Sequence, residues 1–126
     1  MTKTPTNNTA GDQTSGYGII TLSGVDYHLK LSFKALMQIQ DGVKLPIYQV
    51  IEQRLALGDI EVAARCFTHM AEAGGNHVTL YKAGDLILEN DPLEVVEQII
   101  AIMVSALGGA GDGKKPKAAA KTKTPD

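Results

Sequence analysis

Apolar and polar residues alternate along "GIITLSGVDYHLKL": Ile20, Leu22, Tyr27, Leu29 and Leu31 are interleaved with Thr21, Asp26, His28 and Lys30. A period of two predicts strands. Between the two runs, Ser23-Gly24 supplies a glycine free to take positive φ, so the chain is expected to reverse there into a β-hairpin. At Ser32 the period changes. Ser is a good N-cap, and Phe33, Leu36, Met37 and Gln40 follow at three- and four-residue spacing, which predicts a helix directly after the hairpin.

Four further helices are predicted downstream. Pro46 to Leu57 opens on a proline suited to a first turn and carries Ile47, Val50, Ile51 and Leu55 with Arg54 at its edge, before Gly58 stops it. Asp59 is the N-cap of a helix over Ile60 to Ala73, in which Val62, Cys66, Phe67 and Met70 recur at helical spacing and Gly74-Gly75 mark the end. Thr79 caps Leu80 to Leu88, with Leu80, Ala83, Leu86 and Ile87 on one side. Asp91, Pro92 and Glu94 form the start signal of a last helix through "LEVVEQIIAIMVSAL" up to Gly108. After Gln98 that helix is apolar nearly all round, which calls for burial on more than one side, by neighbouring helices or by a partner. The fold class is therefore mainly α (α+β): an N-terminal β-hairpin packed on a bundle of about five short helices.

Composition alters the picture at the two ends. Residues 1 to 16 hold almost nothing that could be buried, and residues 108 to 126 are rich in Gly, Lys and Ala without an apolar period; both are expected to be disordered, leaving a single domain over 17–107. Residues 17 to 107 hold six Lys/Arg against eleven Asp/Glu, a balance of −5, whereas 108 to 126 hold five Lys against two Asp, a balance of +3. An acidic body carries a basic tail. No apolar run approaches the length of a membrane span, and the polar start is unlike a secretion signal, so a cytoplasmic protein is expected. The one cysteine, Cys66, has no partner for an internal disulfide, which agrees with a reducing compartment.

Candidate chemistry is sparse. Cys66, His69 and His77 fall within twelve positions, but a closed structural zinc site wants four ligands and none completes the set, so Cys66 reads as core and no metal or other cofactor is expected. Asp85, Glu89, Asp91 and Glu94 surround a helix junction, where caps and dipole-favoured acids belong. The glycine runs "SGYG", "EAGGN" and "LGGAGDGKK" lack the strand-to-helix setting of a phosphate loop, and no nucleophile–base signature is present. An enzyme is not expected. Five lysines on the tail could attract phosphates, yet the body is acidic and no aromatic residue interleaves them, so the tail reads as solvated and not as a nucleic-acid arm.

The order of these elements, with the hairpin "ITLSGVDYHLKL", the helix start "LSFKAL", the stretch "VIEQRLALGDIEVAARCFTHMAEAGG" and a final apolar helix, resembles the tail assembly chaperone family of tailed phages and gene transfer agents, some members of which are labelled tail tube proteins. The resemblance spans about residues 18 to 108; Gln40 departs from it, standing where an acidic residue is common. It implies a small cytoplasmic helper, absent from the mature particle, that binds the long helical tape measure protein and keeps it soluble until the tail tube polymerises. The alternatives are a structural tail component of the particle and a small nucleic-acid-associated protein. Because the last helix is richer in apolar residues than one small core requires, Val95, Ile99, Ile102 and Met103 are the expected partner-binding residues, with burial in the core as the competing reading.

Overall fold

A computed structural model describes residues 16–108. The chain runs β1 (Tyr17–Leu22), β2 (Val25–Lys30), α1 (Phe33–Val43), α2 (Ile47–Gln49), a π-helical turn (Val50–Arg54) that passes into a 3-10 turn (Leu55–Leu57), then α3 (Ile60–Ala73), α4 (Leu80–Glu89) and α5 (Pro92–Ala106). It is mainly helical, with one N-terminal antiparallel hairpin among the described residues, as the change of period implies. The predicted disorder of residues 1–15 and 109–126 lies outside the described residues. Gly16 itself belongs to the domain: its N–H donates to Ser105 Oγ at 2.8 Å and its carbonyl accepts from Leu31 N, also at 2.8 Å.

In the hairpin Tyr17 faces Lys30 and Leu22 faces Val25, so the two-residue turn is Ser23-Gly24. Both turn residues have positive φ, 51° and 80°, the twist-matched geometry that favours glycine at the second position. Strand alternation sends Ile20, Leu22 and Leu29 into the core, with Tyr27 half-buried behind them. Tyr27 meets the buried ring of Phe67 edge-on, centroids 5.5 Å apart at 66°. Asn90, just past α4, secures the turn: its Oδ1 accepts from Ser23 N at 3.2 Å and its Nδ2 donates to Ser23 Oγ at 3.3 Å.

The cap residues act as the sequence indicates. Ser32, Asp59, Thr79 and Asp91 each accept, through a side-chain oxygen, the N–H three residues on, satisfying donors that the first helical turn leaves free. The helix predicted after Ser32 is α1, in which the buried residues are Ala35 and Ile39, while Phe33 and Met37 are exposed. Gln40 serves as a cap for α2, its Oε1 accepting from Ile47 N at 2.7 Å. An acidic side chain could accept that bond equally, so the departure at Gln40 preserves the acceptor.

One expectation is corrected: Pro46 to Leu57 is not a regular α-helix. Pro46 is the cap of α2 and not its first residue. Val50 and Leu55 are both buried, and residues five apart do not share a face at 3.6 per turn; an i→i+5 turn brings the second back to the first one's side. The π turn ends at Arg54, where φ is −123°, and the 3-10 turn follows. The Arg54 guanidinium reaches forward to Asp59, with Nε and Nη2 each 2.7 Å from Oδ2. Burial raises the Asp59 pKa, but the N–H of Val62 and the Arg54 side chain outweigh it, holding the carboxyl below its ordinary 3.8. A depressed carboxylate pKa contributes stability that is present above the unfolded value and lost as pH falls through the folded one. Acid titration of unfolding should therefore show a limb below about pH 4 that Asp59→Asn flattens.

Helix α5 packs against β1, α3, α4 and the 3-10 turn, which accounts for a helix apolar on several sides. Among the described residues no helix is long and apolar enough to cross a membrane.

Candidate functional site

The four α5 residues expected to bind a partner are core residues. Val95, Ile99, Ile102 and Met103 are 2, 0, 9 and 0 % exposed, so none offers a surface in this conformation. Ile102 lies directly over β1, where a Cβ on Gly18 would come within 2.7 Å of its Cδ1. The apolar excess that suggested a partner is consumed by the hairpin, a neighbour that helix patterning alone does not count.

The histidines and the cysteine do not assemble. Cys66 is fully buried, and burial alone pushes its thiol up to about 12, so it stays an inert thiol. His69 has its pKa lowered by burial, with Glu72 opposing and Arg65 assisting, and its Nδ1 is buried without a hydrogen-bond partner. No group of three His, Cys, Asp or Glu among the described residues is arranged to hold a metal ion. On the hairpin, the Tyr17 hydroxyl pairs with His28 Nδ1 beside its ring, a cross-strand contact of the exposed face.

What the fold does expose is apolar surface. A groove of about 460 Å³ lies between α3 and α4, lined by Ile60, Ala64, Leu80, Tyr81 and Gly84, with Glu61, Arg65 and Asp85 on its rim. Ala64 and Gly84 are the small residues of its lining, and a Cβ placed on Gly84 would be 4.0 Å from that of Ala64, so the two helices come close together here. Tyr81 stands at the edge, 87 % exposed, while Leu80 is half-buried against the core. The rim charges are partly neutralised, since Arg65 Nη2 lies 3.2 Å from Glu61 Oε2; Asp85 is exposed.

The apolar spacing of α4 predicts a single buried face, and that face is correct: Ala83, Leu86 and Ile87 are buried. The missed signal is on the other side. Tyr81 and Leu88 are seven residues apart, with Gly84 and Asp85 between them at helical spacing, so two large apolar side chains recur along a face that ought to be polar. Both are exposed. Leu57, 79 % exposed, and Leu93 add apolar surface where α5 begins, Leu93 Cδ2 lying 3.5 Å from the position of a Cβ on Gly58. Compared with known proteins, the chain matches no family model, no curated protein and no solved structure.

Proposed function

We propose that this protein is a tail assembly chaperone, which holds an apolar helical segment of a tape measure protein in the α3–α4 groove and keeps that long chain soluble until the tail tube forms around it. The observation that carries the reading is the groove itself: two helices present exposed Tyr81, half-buried Leu80 and Ile60, and the small residues Ala64 and Gly84. An amphipathic helix laid in such a groove recognises it through anchors at i, i+3 or i+4, and i+7. The order of elements that resembles the chaperone family supports the same reading.

The energetics suit a helper that must let go. Burying one Leu-sized anchor contributes about 1.5–3 kcal/mol. Two or three anchors give about 3–9 kcal/mol, and less a cost of association of about 4 kcal/mol or more they leave binding no tighter than about −5 kcal/mol, in the submillimolar to millimolar range or weaker. A client with many helical repeats can then occupy many copies of the chaperone, each exchanging freely, and polymerising tube subunits can displace them.

Tyr81→Asp tests the reading. Because Tyr81 is exposed, the substitution should move stability by no more than about 0.5 kcal/mol. Placing a carboxylate where an apolar helix must lie should sharply lower the soluble yield of a co-expressed tape measure protein. Undiminished yield with a folded Tyr81→Asp chain would remove the groove from the function.

A further inference from the structure

The two edges of the hairpin differ. Because the Ser23-Gly24 turn holds two residues, Leu22 and Val25 exchange hydrogen bonds across it, and the alternation of an antiparallel ladder makes Ile20 with Tyr27 and Gly18 with Leu29 the other bonded pairs. Two contacts agree with that phase. Leu31 N donates inward to Gly16 O at 2.8 Å, and His28 N points the other way, donating to Asn76 Oδ1 at 2.7 Å. The outer edge of β2 is thus occupied, by Asn76 and by the close passage of Gly74 at His28 and Leu29. On β1 the N–H and C=O of Tyr17, Ile19 and Thr21 point outward, and none has a partner elsewhere among the described residues. All three residues are exposed. Strand edges left open in this way are normally blunted by a charge, a proline or a bulge, yet β1, Tyr-Gly-Ile-Ile-Thr-Leu, has neither charge nor proline and pairs with β2 without a bulge. Beside its Thr21 end lies a cavity of about 120 Å³ against α5, with Asp91 and Glu94 on its wall and no basic residue lining it.

We propose that β1 takes up a third strand: an extended segment of another protein, lying antiparallel to β1, the more stable pairing, and carrying Lys or Arg opposite Leu22. Outward donors and acceptors at every second residue, 17, 19 and 21, form a pattern that a strand matches and a helix does not. The cation follows from the cavity. A partner residue opposite Leu22 points to the same face as Leu22, toward α5, where Asp91 and Glu94 have no ion partner among the described residues. A second copy of this chain fits less well: pairing β1 with β1 about a two-fold axis would set both α5 helices beneath the same joined strands, whereas a lone segment brings no helix with it. The proposal stands apart from the tape measure reading, in which a helix lies in the α3–α4 groove.

The probe is the peptide Lys-Thr-Val-Thr-Val-Thr, blocked at both ends and added at millimolar concentration to the isotope-labelled full chain. In the free chain the amides of Tyr17, Ile19 and Thr21 should exchange fast and those of Gly18, Ile20 and Leu22 slowly; with the peptide the first three should become protected. Methylating the nitrogen of the peptide's fourth residue, which faces Ile19, should weaken binding about tenfold or more, while methylating that of the third, which faces away, should not. Ile19→Pro removes the outward N–H without touching the bonds to β2, so a chain that still melts cooperatively should lose the peptide as fully. Glu94→Gln should weaken it about two- to fivefold, the loss of one exposed charge pair. Equal effects of the two methylations, an affinity unchanged in Glu94→Gln, or no protection by the peptide would overturn the proposal. Protection of the three amides in the free chain would overturn it as well, assigning the edge to a second copy if it fades on dilution and to residues 1–15 of the same chain if it does not.

Discussion

Gly74→Ala is expected to cost about 3 kcal/mol or more, at or beyond the upper end of overpacking effects, although a glycine at a helix end ordinarily tolerates alanine with far less loss. Gly74 has φ −88° and ψ 1°, a backbone any residue can adopt. The constraint is steric. A Cβ at this position would sit 2.1 Å from the His28 carbonyl oxygen, 2.6 Å from its carbon and 3.2 Å from Leu29 N, all of them backbone atoms that cannot rotate aside. The end of α3 and strand β2 are therefore in direct contact, and the contact is fastened by Asn76, whose Oδ1 accepts from His28 N at 2.7 Å. Gly75 supplies the control: its φ is +99° and nothing lies within 4 Å of its Cβ position, so Gly75→Ala meets only conformational strain, about 1–2 kcal/mol. Urea denaturation of the two variants, with amide exchange across β2, should show the larger loss at Gly74 together with a hairpin that opens ahead of the helices.

Ile102→Asp is expected to unfold the domain or destabilise it by about 4 kcal/mol or more, because a carboxyl buried between α5 and β1 has no partner there. Ile102 is 9 % exposed and rests over Gly18, in a strand that offers no side chain at that point. Leu93→Asp on the same helix makes the contrast. Leu93 is exposed and belongs to the first turn, where acidic residues are favoured, so its replacement should stay within about 0.5 kcal/mol. Cooperative melting of Ile102→Asp at nearly the original temperature would show that α5 does not occupy this core.

These two positions show what was legible in the sequence. Helix starts were, because Ser32, Asp59, Thr79 and Asp91 carry their signal in the local chain, and the hairpin was, because a strand period and Ser23-Gly24 coincide. The role of Gly74 was only half legible: its place at the end of α3 could be read, while its contact with His28 depends on a strand 46 positions away in the chain. The buried face of α1 was not legible, because Phe33, Met37 and Gln40 fit helical spacing as well as Ala35 and Ile39 do. Packing on α3 decides between them, and Gln40 is recruited to Ile47. The π turn was hidden by the assumption of a constant 3.6-residue period. The expectation for α5 fails for a related reason: apolar abundance in α5 measures how many neighbours cover it, whereas Tyr81, one large ring on the thinner face of α4, marks surface that no neighbour covers.

Whether the α3–α4 groove receives a helical segment of the tape measure protein can be decided by placing a photo-crosslinking phenylalanine analogue at Tyr81 or Leu88, and at Tyr17 or Val25 of the hairpin as controls, during co-expression with that protein. All four side chains are exposed, so the replacements leave the core intact. Covalent adducts with the tape measure protein are expected from positions 81 and 88, lost on introducing Gly84→Leu to fill the groove, and none from 17 or 25. Adducts from the hairpin alone, or a tape measure protein kept soluble without any adduct from 81 or 88, would contradict a role for the groove.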